Sequence, residues 1–368
     1  MKFGGTSVAG SKEIRRVCDL VRARSDRRAV VVVSAVAGIT NRLFRLGELA
    51  LSREPWQAEY EGIAGKHREI LGELGLPRGL VEPLLCELHE LARGIELIRE
   101  LTPRTRDYLA SFGERLSVRV VAAQFNAAGL PARAFDAFDA GLITDRNFGC
   151  ARPLPEADER MQAALRDVRE TPVITGYIGK ALSGEITTLG RGGSDYSASI
   201  FGAALDVEEI QIWTDVDGVM TADPRFVPDA RFQPVLSFAE AAELAFYGAR
   251  VIHPATMVPA VRKGIPIRVM NSYRPDFEGT LVVPRLGGDQ RGVKSVTSKD
   301  GVAVVNVIAA PMLDQYGFLA QIFEVFARHR VVVDVVATSE VSVSMTTDGR
   351  AGLEPVVEDL SRFSTVSV

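Results

Sequence analysis

Cysteine is scarce: Cys18, Cys86 and Cys150 are the three thiols in 368 residues. They are widely spaced and form no CxxC pair, which argues against a disulfide framework and for reduced thiols in a cytoplasmic protein. Histidine is nearly as sparse, and His67, His89, His253 and His329 show no metal-ligand spacing. No apolar run reaches the roughly 18 residues needed to cross a bilayer. The N-terminus has no charged stretch followed by an apolar core, so no secretion signal is read. Lysine and arginine form no block and the net charge is -4, which argues against nucleic acid or an anionic membrane as partner. A GxxxxGK[ST] phosphate loop is missing, as are Ser–His–Asp and Cys–His arrangements.

What is present is the composition of a globular protein, 46% hydrophobic and 24% charged, long enough for two or three domains. Short apolar runs at 29–36, 171–178, 207–213 and 265–270 read as buried strands of a parallel sheet, with helical stretches between them. The class is therefore α/β. Residues 42–126 carry apolar positions at helical spacing and read as a helical subdomain. The chain turns polar and glycine-rich at Gly287-Gly288-Asp289, a linker within 285–297. A second pattern follows, with strand 302–308, helix 318–328, strands 331–338 and 341–346, and helix 352–362. The last residues, STVSV, read as the start of another strand without a partner, as though the domain were cut short.

Five segments could carry chemistry. Lys2-Phe3-Gly4-Gly5-Thr6-Ser7 pairs a cation with glycines that let backbone N–H groups approach an anion, ahead of a helix from Ser11. Val33–Asn41 is a strand end opening onto a helix, where α/β proteins bind ligands. Ser34 and Thr40 could donate hydrogen bonds there, although Thr40 could equally be a helix N-cap. Glu114, in Gly113-Glu114-Arg115, could hold a substrate ammonium or be a solvated helix charge. Thr187–Asp195 places Arg191 among Gly190, Gly192 and Gly193, leaving bare backbone where a guanidinium can grip a carboxylate or phosphate. Ser194 and Asp195 fall at the start of the next helix, where they can cap. Trp213–Met220 with Asp223-Pro224-Arg225 is a strand end with Asp/Gly turns, either a nucleotide edge or a plain surface turn.

Phosphoryl transfer to a carboxylate fits the absence of a catalytic nucleophile. Such an acceptor is already an anion at neutral pH, with a reference pKa near 3.9 for aspartate. It needs no general base, and the work is positioning and charge neutralisation.

In this order, KFGGTSV, VVVSAVAGITN, GERLS, TLGRGGSDYSA, WTDVDGV with DPR, and YGARVIHPAT resemble the signature segments of aspartate kinases within the amino-acid kinase superfamily. The stretch from AAPMLDQYGF to SVSMTTD is similar to that family's first ACT regulatory domain. The resemblance implies a mainly parallel sheet sandwiched by helices in residues 1–284. A ferredoxin-like ACT domain over 298–368 would follow, with a second ACT unit incomplete. It implies ATP and Mg²⁺ as cofactors, with no metal ligated directly by an assigned side chain. Activity would be on aspartate at the head of lysine, threonine and methionine biosynthesis. Feedback would come from an end-product amino acid, lysine favoured, in a homodimer or higher oligomer joined through ACT domains.

By position, Lys2, Phe3, Gly4, Gly5, Thr214, Asp215, Met220, Arg225, Arg250 and Val251 would serve ATP. Thr40, Glu114, Arg191, Gly192, Gly193 and Ser194 would hold aspartate. Lys2, Ser34, Arg191 and Asp195 would form the catalytic surround, with Asp195 orienting Lys2 and the metal-phosphate network. Met312, Gln315, Phe318, Leu319, Val332, Val333, Asp334, Val335, Ser339 and Glu340 would form the effector site. Three departures stand out: only Met1 precedes KFGG, which would cost the sheet a strand; Arg250 replaces a common lysine; and Met220 replaces an aromatic found in some members. Two other readings remain, a non-catalytic amino-acid sensor with a silent kinase fold and a related kinase with another carboxylate acceptor.

Overall fold

A computed structural model of the chain describes residues 1–246, 254–286, 293–309 and 316–368. Arg250, Val251, Met312, Gln315 and the Gly287-Gly288-Asp289 turn lie outside the described residues. Two compact units are present, Met1–Thr297 and Ser298–Val368.

The first unit opens with β1 (Lys2–Phe3), α1 (Ser11–Arg22) and β2 (Val31–Val33). Four helices follow: α2 (Ile39–Ser52), α3 (Gln57–Leu74), α4 (Glu82–Ile98) and α5 (Pro103–Ala127). Then come β3 (Ala132–Phe135), β4 (Ile143–Thr144), α6 (Ala157–Leu165), β5 (Thr171–Thr175), β6 (Ile178–Ala181) and β7 (Ile186–Thr188). The unit continues through α7 (Gly193–Ala204), β8 (Ile210–Thr214), β9 (Val235–Ser237), α8 (Phe238–Phe246), α9 (Pro254–Lys263), β10 (Ile267–Asn271) and β11 (Thr280–Val283).

Eight strands form the main sheet in the order β3-β5-β2-β1-β8-β10-β11-β9. Every neighbouring pair is parallel except β10 and β11. Both faces are covered, so successive strand residues feed different cores. Val31 and Val33 pack with the helical layer of α1 to α5, whereas Val32 packs with Phe201, Met161 and Met257 on the other side. Trp56, Phe112 and Phe125 fill the first core completely out of solvent, each such burial worth about 1.5–3 kcal/mol or more. Helix α5 starts on Thr102, which accepts the Thr105 N–H, with Pro103 in the first turn.

Two expectations change here. The apolar run 171–178 is not one strand: β5 ends at Thr175, and β6 belongs to a separate small sheet, β4-β6-β7. The break falls at Tyr177, whose φ of 65° is incompatible with an extended chain. The sheet also keeps its strand at the start of the chain. β1 is only two residues long, yet it pairs with β2 on one side and β8 on the other, at the centre.

The second unit runs β12 (Ala303–Ile308), α10 (Phe318–Arg328), β13 (Val336–Thr338), β14 (Ser342–Thr347), α11 (Leu353–Leu360) and β15 (Thr365–Ser367). Its antiparallel sheet has the order β13-β14-β12-β15. Ile322, Phe326, Val356 and Leu360 of the helices cover Val305, Val307, Val343 and Met345. The terminal strand, expected to lack a partner, is instead the edge of this sheet, paired with β12 through Asn306, Val307 and Ile308. The expected strand 331–338 shortens to its last three residues.

Candidate active site

β1, β2, α5, β7 and α7 converge on one cavity of about 530 Å³. Lys2, Gly5, Ser34, Thr40, Glu114, Arg191, Gly192, Gly193, Ser194 and Asp195 all line it, although they come from four separate stretches of sequence. Lys2 Nζ lies 2.6 Å from Asp195 Oδ1, an ion pair joining the first strand to the first turn of α7. Gly5 is required by space, since a Cβ there would stand 2.9 Å from the Ala35 carbonyl. Gly190 and Gly192 have φ of 82° and 69°, the left-handed region that glycine alone enters cheaply. Gly193 opens α7, and a Cβ on it would meet the Tyr177 ring at 2.5 Å. The N-terminus of α7 adds a partial positive charge beside the cavity.

Glu114 is strongly perturbed. It is 3% exposed, and burial pushes its pKa up to about 8 against hydrogen bonds from the Ala35 N–H and its own. Its Oε2 has no hydrogen-bond partner among the described residues. A buried carboxylate with an unpaired oxygen facing a cavity is suited to an ammonium. The solvated-charge reading of Glu114 is therefore wrong. Thr40 is not an N-cap either: Gly38 occupies that position with φ 80°, and Thr40 lines the cavity from the first turn of α2. The capping expected of Ser194 and Asp195 is absent, because α7 has no side-chain cap and Asp195 pairs with Lys2 instead.

The nucleotide candidates are more scattered. Thr214 ends β8, the neighbour of β1, and Asp215 follows it, but neither lines the cavity. The Phe3 ring is fully buried and stacked on Trp213 at 5.9 Å, so it offers no side-chain surface to a nucleotide. Gly4 donates its N–H to the Trp213 carbonyl at 3.3 Å. Arg225 is exposed and held by Asp223 at 2.6 Å, away from the cavity. The Met220 carbonyl accepts from Ser295. In the second unit Phe318 is likewise a core residue, edge-on to Phe363 at 5.8 Å, while Leu319, Val332, Val335, Ser339 and Glu340 are exposed. Val333 packs partly buried against the core. Asp334 pairs with Lys299 at 3.4 Å.

Sequence reasoning missed Tyr177, Gly149 and Asp107. Tyr177 lines the cavity with a left-handed backbone and donates its N–H to Ser197 Oγ at 2.9 Å; burial raises its phenol pKa. Its position between Gly176 and Gly179 was the available signal. Among the described residues, no helix is long and apolar enough to cross a membrane.

A cation paired to a carboxylate, a bare glycine arc bearing an arginine and a helix N-terminus, all at the carboxyl edge of a parallel sheet, define a kinase that brings two anions together. The Amino acid kinase family matches residues 1–271. Aspartokinase 2, chloroplastic, of Arabidopsis thaliana is 41% identical over 388 residues, covering 100% of this chain and 71% of that protein. Lysine-sensitive aspartokinase 3 of Escherichia coli is 38% identical over 353 residues, covering 94% of this chain and 77% of that protein. The crystal structure of E. coli aspartokinase III in complex with aspartate and ADP superposes with a TM-score of 0.85 at 34% identity, over 100% of this chain and 84% of that one. The same enzyme with lysine and aspartate gives 0.80, over 100% and 83%. The chain belongs to the amino acid kinase family and, within it, to the aspartokinases.

Proposed function

We propose that this chain moves the γ-phosphoryl group of ATP onto the side-chain carboxylate of L-aspartate, giving ADP and 4-phospho-L-aspartate. Residues 1–284 are the catalytic part and 298–368 an ACT regulatory part. The observation that carries the reading is the single cavity holding Lys2–Asp195 together with Glu114 and Arg191. Glu114 takes the ammonium of aspartate and Arg191 its α-carboxylate, which leaves the side-chain carboxylate free to face the phosphates. Lys2, the α7 N-terminus and the glycine N–H groups neutralise the phosphoryl oxygens. The acceptor attacks as an anion, so no side chain has to remove a proton.

Magnesium would neutralise further charge on the β- and γ-phosphates. Among the described residues no group of three His, Cys, Asp or Glu could hold a metal. An ion held by phosphates, water and one carboxylate needs no such group, and Asp195 is the carboxylate placed to receive it.

In an ATP-dependent hydroxamate assay, aspartate is expected to turn over while glutamate, acetylglutamate and carbamate do not. Turnover of another acceptor in preference, or amino-acid binding with no turnover, would replace this reading with one of the two alternatives.

The effector candidates support regulation by a dimer. Within one chain they fall into two groups. Ser339 and Glu340 sit at the turn after β13, where Ser339 bonds Ser342. Asp334 bonds the far end of β14 at Thr346. Ser342 and Thr346 are four residue steps apart along β14, about 13 Å. β13 is an edge strand with all three residues exposed. Two such edges related by a two-fold axis would set Asp334 of the partner subunit near Glu340. The effector is an amino acid, lysine first, with its ammonium groups on these carboxylates. Glu340→Ala should raise the lysine concentration for half-inhibition at least about tenfold while uninhibited kcat stays within about twofold. Unchanged inhibition would remove Glu340 from the site.

A further inference from the structure

We propose that Asp107 is a positioning residue for the aspartate half of the site, clamping together the two loop segments that wall it. The proposal rests on the aspartate-kinase reading above. Asp107 is 3% exposed and does not line the cavity. It lies on α5 seven residues, two helical turns, before Glu114, so the two carboxylates share one face of the helix.

All three of its hydrogen bonds go to the substrate side. Asp107 Oδ2 accepts the Gly149 N–H at 2.9 Å and the Thr188 N–H at 2.8 Å. Oδ1 accepts the Thr188 hydroxyl at 2.8 Å. Burial raises its pKa, and these donors act the other way. Thr188 ends β7, two residues before Gly190 and three before Arg191. Gly149 is in the loop after β4, and both Gly149 and Gly190 line the cavity. The two segments are in direct contact, since a Cβ on Gly190 would lie 3.0 Å from the Gly149 carbonyl.

One buried carboxylate therefore ties α5, which delivers Glu114, to the turn that delivers Arg191. These groups must bracket an amino acid at both its charged ends, so the spacing between them sets aspartate affinity. A displacement of about 1 Å in such a site costs on the order of a hundredfold. The nucleotide side, at β1 and β8, makes none of these contacts.

Asp107→Asn keeps the shape but removes the charge, so the Gly149 and Thr188 N–H groups bond a neutral amide oxygen and the Thr188 hydroxyl must turn round to accept from the new N–H₂. It is expected to raise KM for aspartate at least about tenfold, leave KM for ATP within about twofold and lower kcat less than about threefold. Thr188→Val, which removes only the hydroxyl, should raise KM for aspartate about threefold, and Thr188→Ser should restore it. Wild-type KM values in Asp107→Asn would overturn the proposal, as would equal rises in both KM values accompanied by a lower Tm. If Asp107→Asn does not fold, the threonine pair decides: a valine variant indistinguishable from the serine variant overturns it. A wild-type protein with no activity on aspartate would instead overturn the function on which this rests.

Discussion

Replacement of Lys2 by alanine is expected to lower kcat at least about a hundredfold, about 2.7 kcal/mol of transition-state stabilisation. Lys2 is held between two strands, in register with Val32 and Ile212, so its Cα cannot drift when the side chain is cut. Its ammonium lies 2.6 Å from Asp195 and above Gly4, where a Cβ would come 3.4 Å from Nζ. Charge builds on the phosphoryl oxygens during transfer, and a fixed cation there acts without reorganisation. The alanine variant would also leave Asp195 unneutralised and repelling the phosphates. Lys2→Arg should restore only part of the rate, because the planar guanidinium does not fit the place of a compact ammonium. Steady-state kinetics, with Tm showing that the fold is kept, measure this. A kcat within tenfold of wild type would remove Lys2 from the catalytic centre.

Binding of aspartate is expected to become tighter as pH rises toward 8. Burial pushes the Glu114 carboxyl up to about 8. Lys2, Asp195, Arg191 and Tyr177 share the cavity with it. At pH 7 the group is therefore mostly protonated, and only the ionised form attracts an ammonium. The ammonium of aspartate stabilises that ionised form, so binding releases a proton. KM for aspartate should then fall about ninefold from pH 6 to 7, about fivefold from pH 7 to 8, and flatten above, while the amine of aspartate is still charged. Glu114→Gln should abolish the dependence and raise KM at pH 8 by at least about a hundredfold, since a desolvated ammonium without its counter-charge costs about 3–5 kcal/mol. KM measured across this range decides the matter: a flat profile for the wild-type protein would mean that Glu114 is already ionised before aspartate binds, or does not meet the ammonium.

Glu114 and Asp107 also show where reading from sequence stops. Each is a single acid on a helix, and nothing within a few residues distinguishes a buried acid from a solvated one. Their environment is supplied by Ala35, Gly149 and Thr188, which are distant in the chain. Tyr177 was hidden for a related reason: an unbroken apolar run reads as one strand, and only the packing of Ser197 and Gly193 against it reveals the turn.

By itself the sequence determined the alternation of strands and helices, because apolar periodicity is local. It also determined the turn around Arg191, because only glycine tolerates that backbone. Tertiary structure decided which acids lost their water, that Ser194 and Asp195 leave α7 without a side-chain cap, and that the terminal strand joins β12. Each of these depends on what lies across space from a residue, and neither burial nor strand pairing is written in its immediate neighbours.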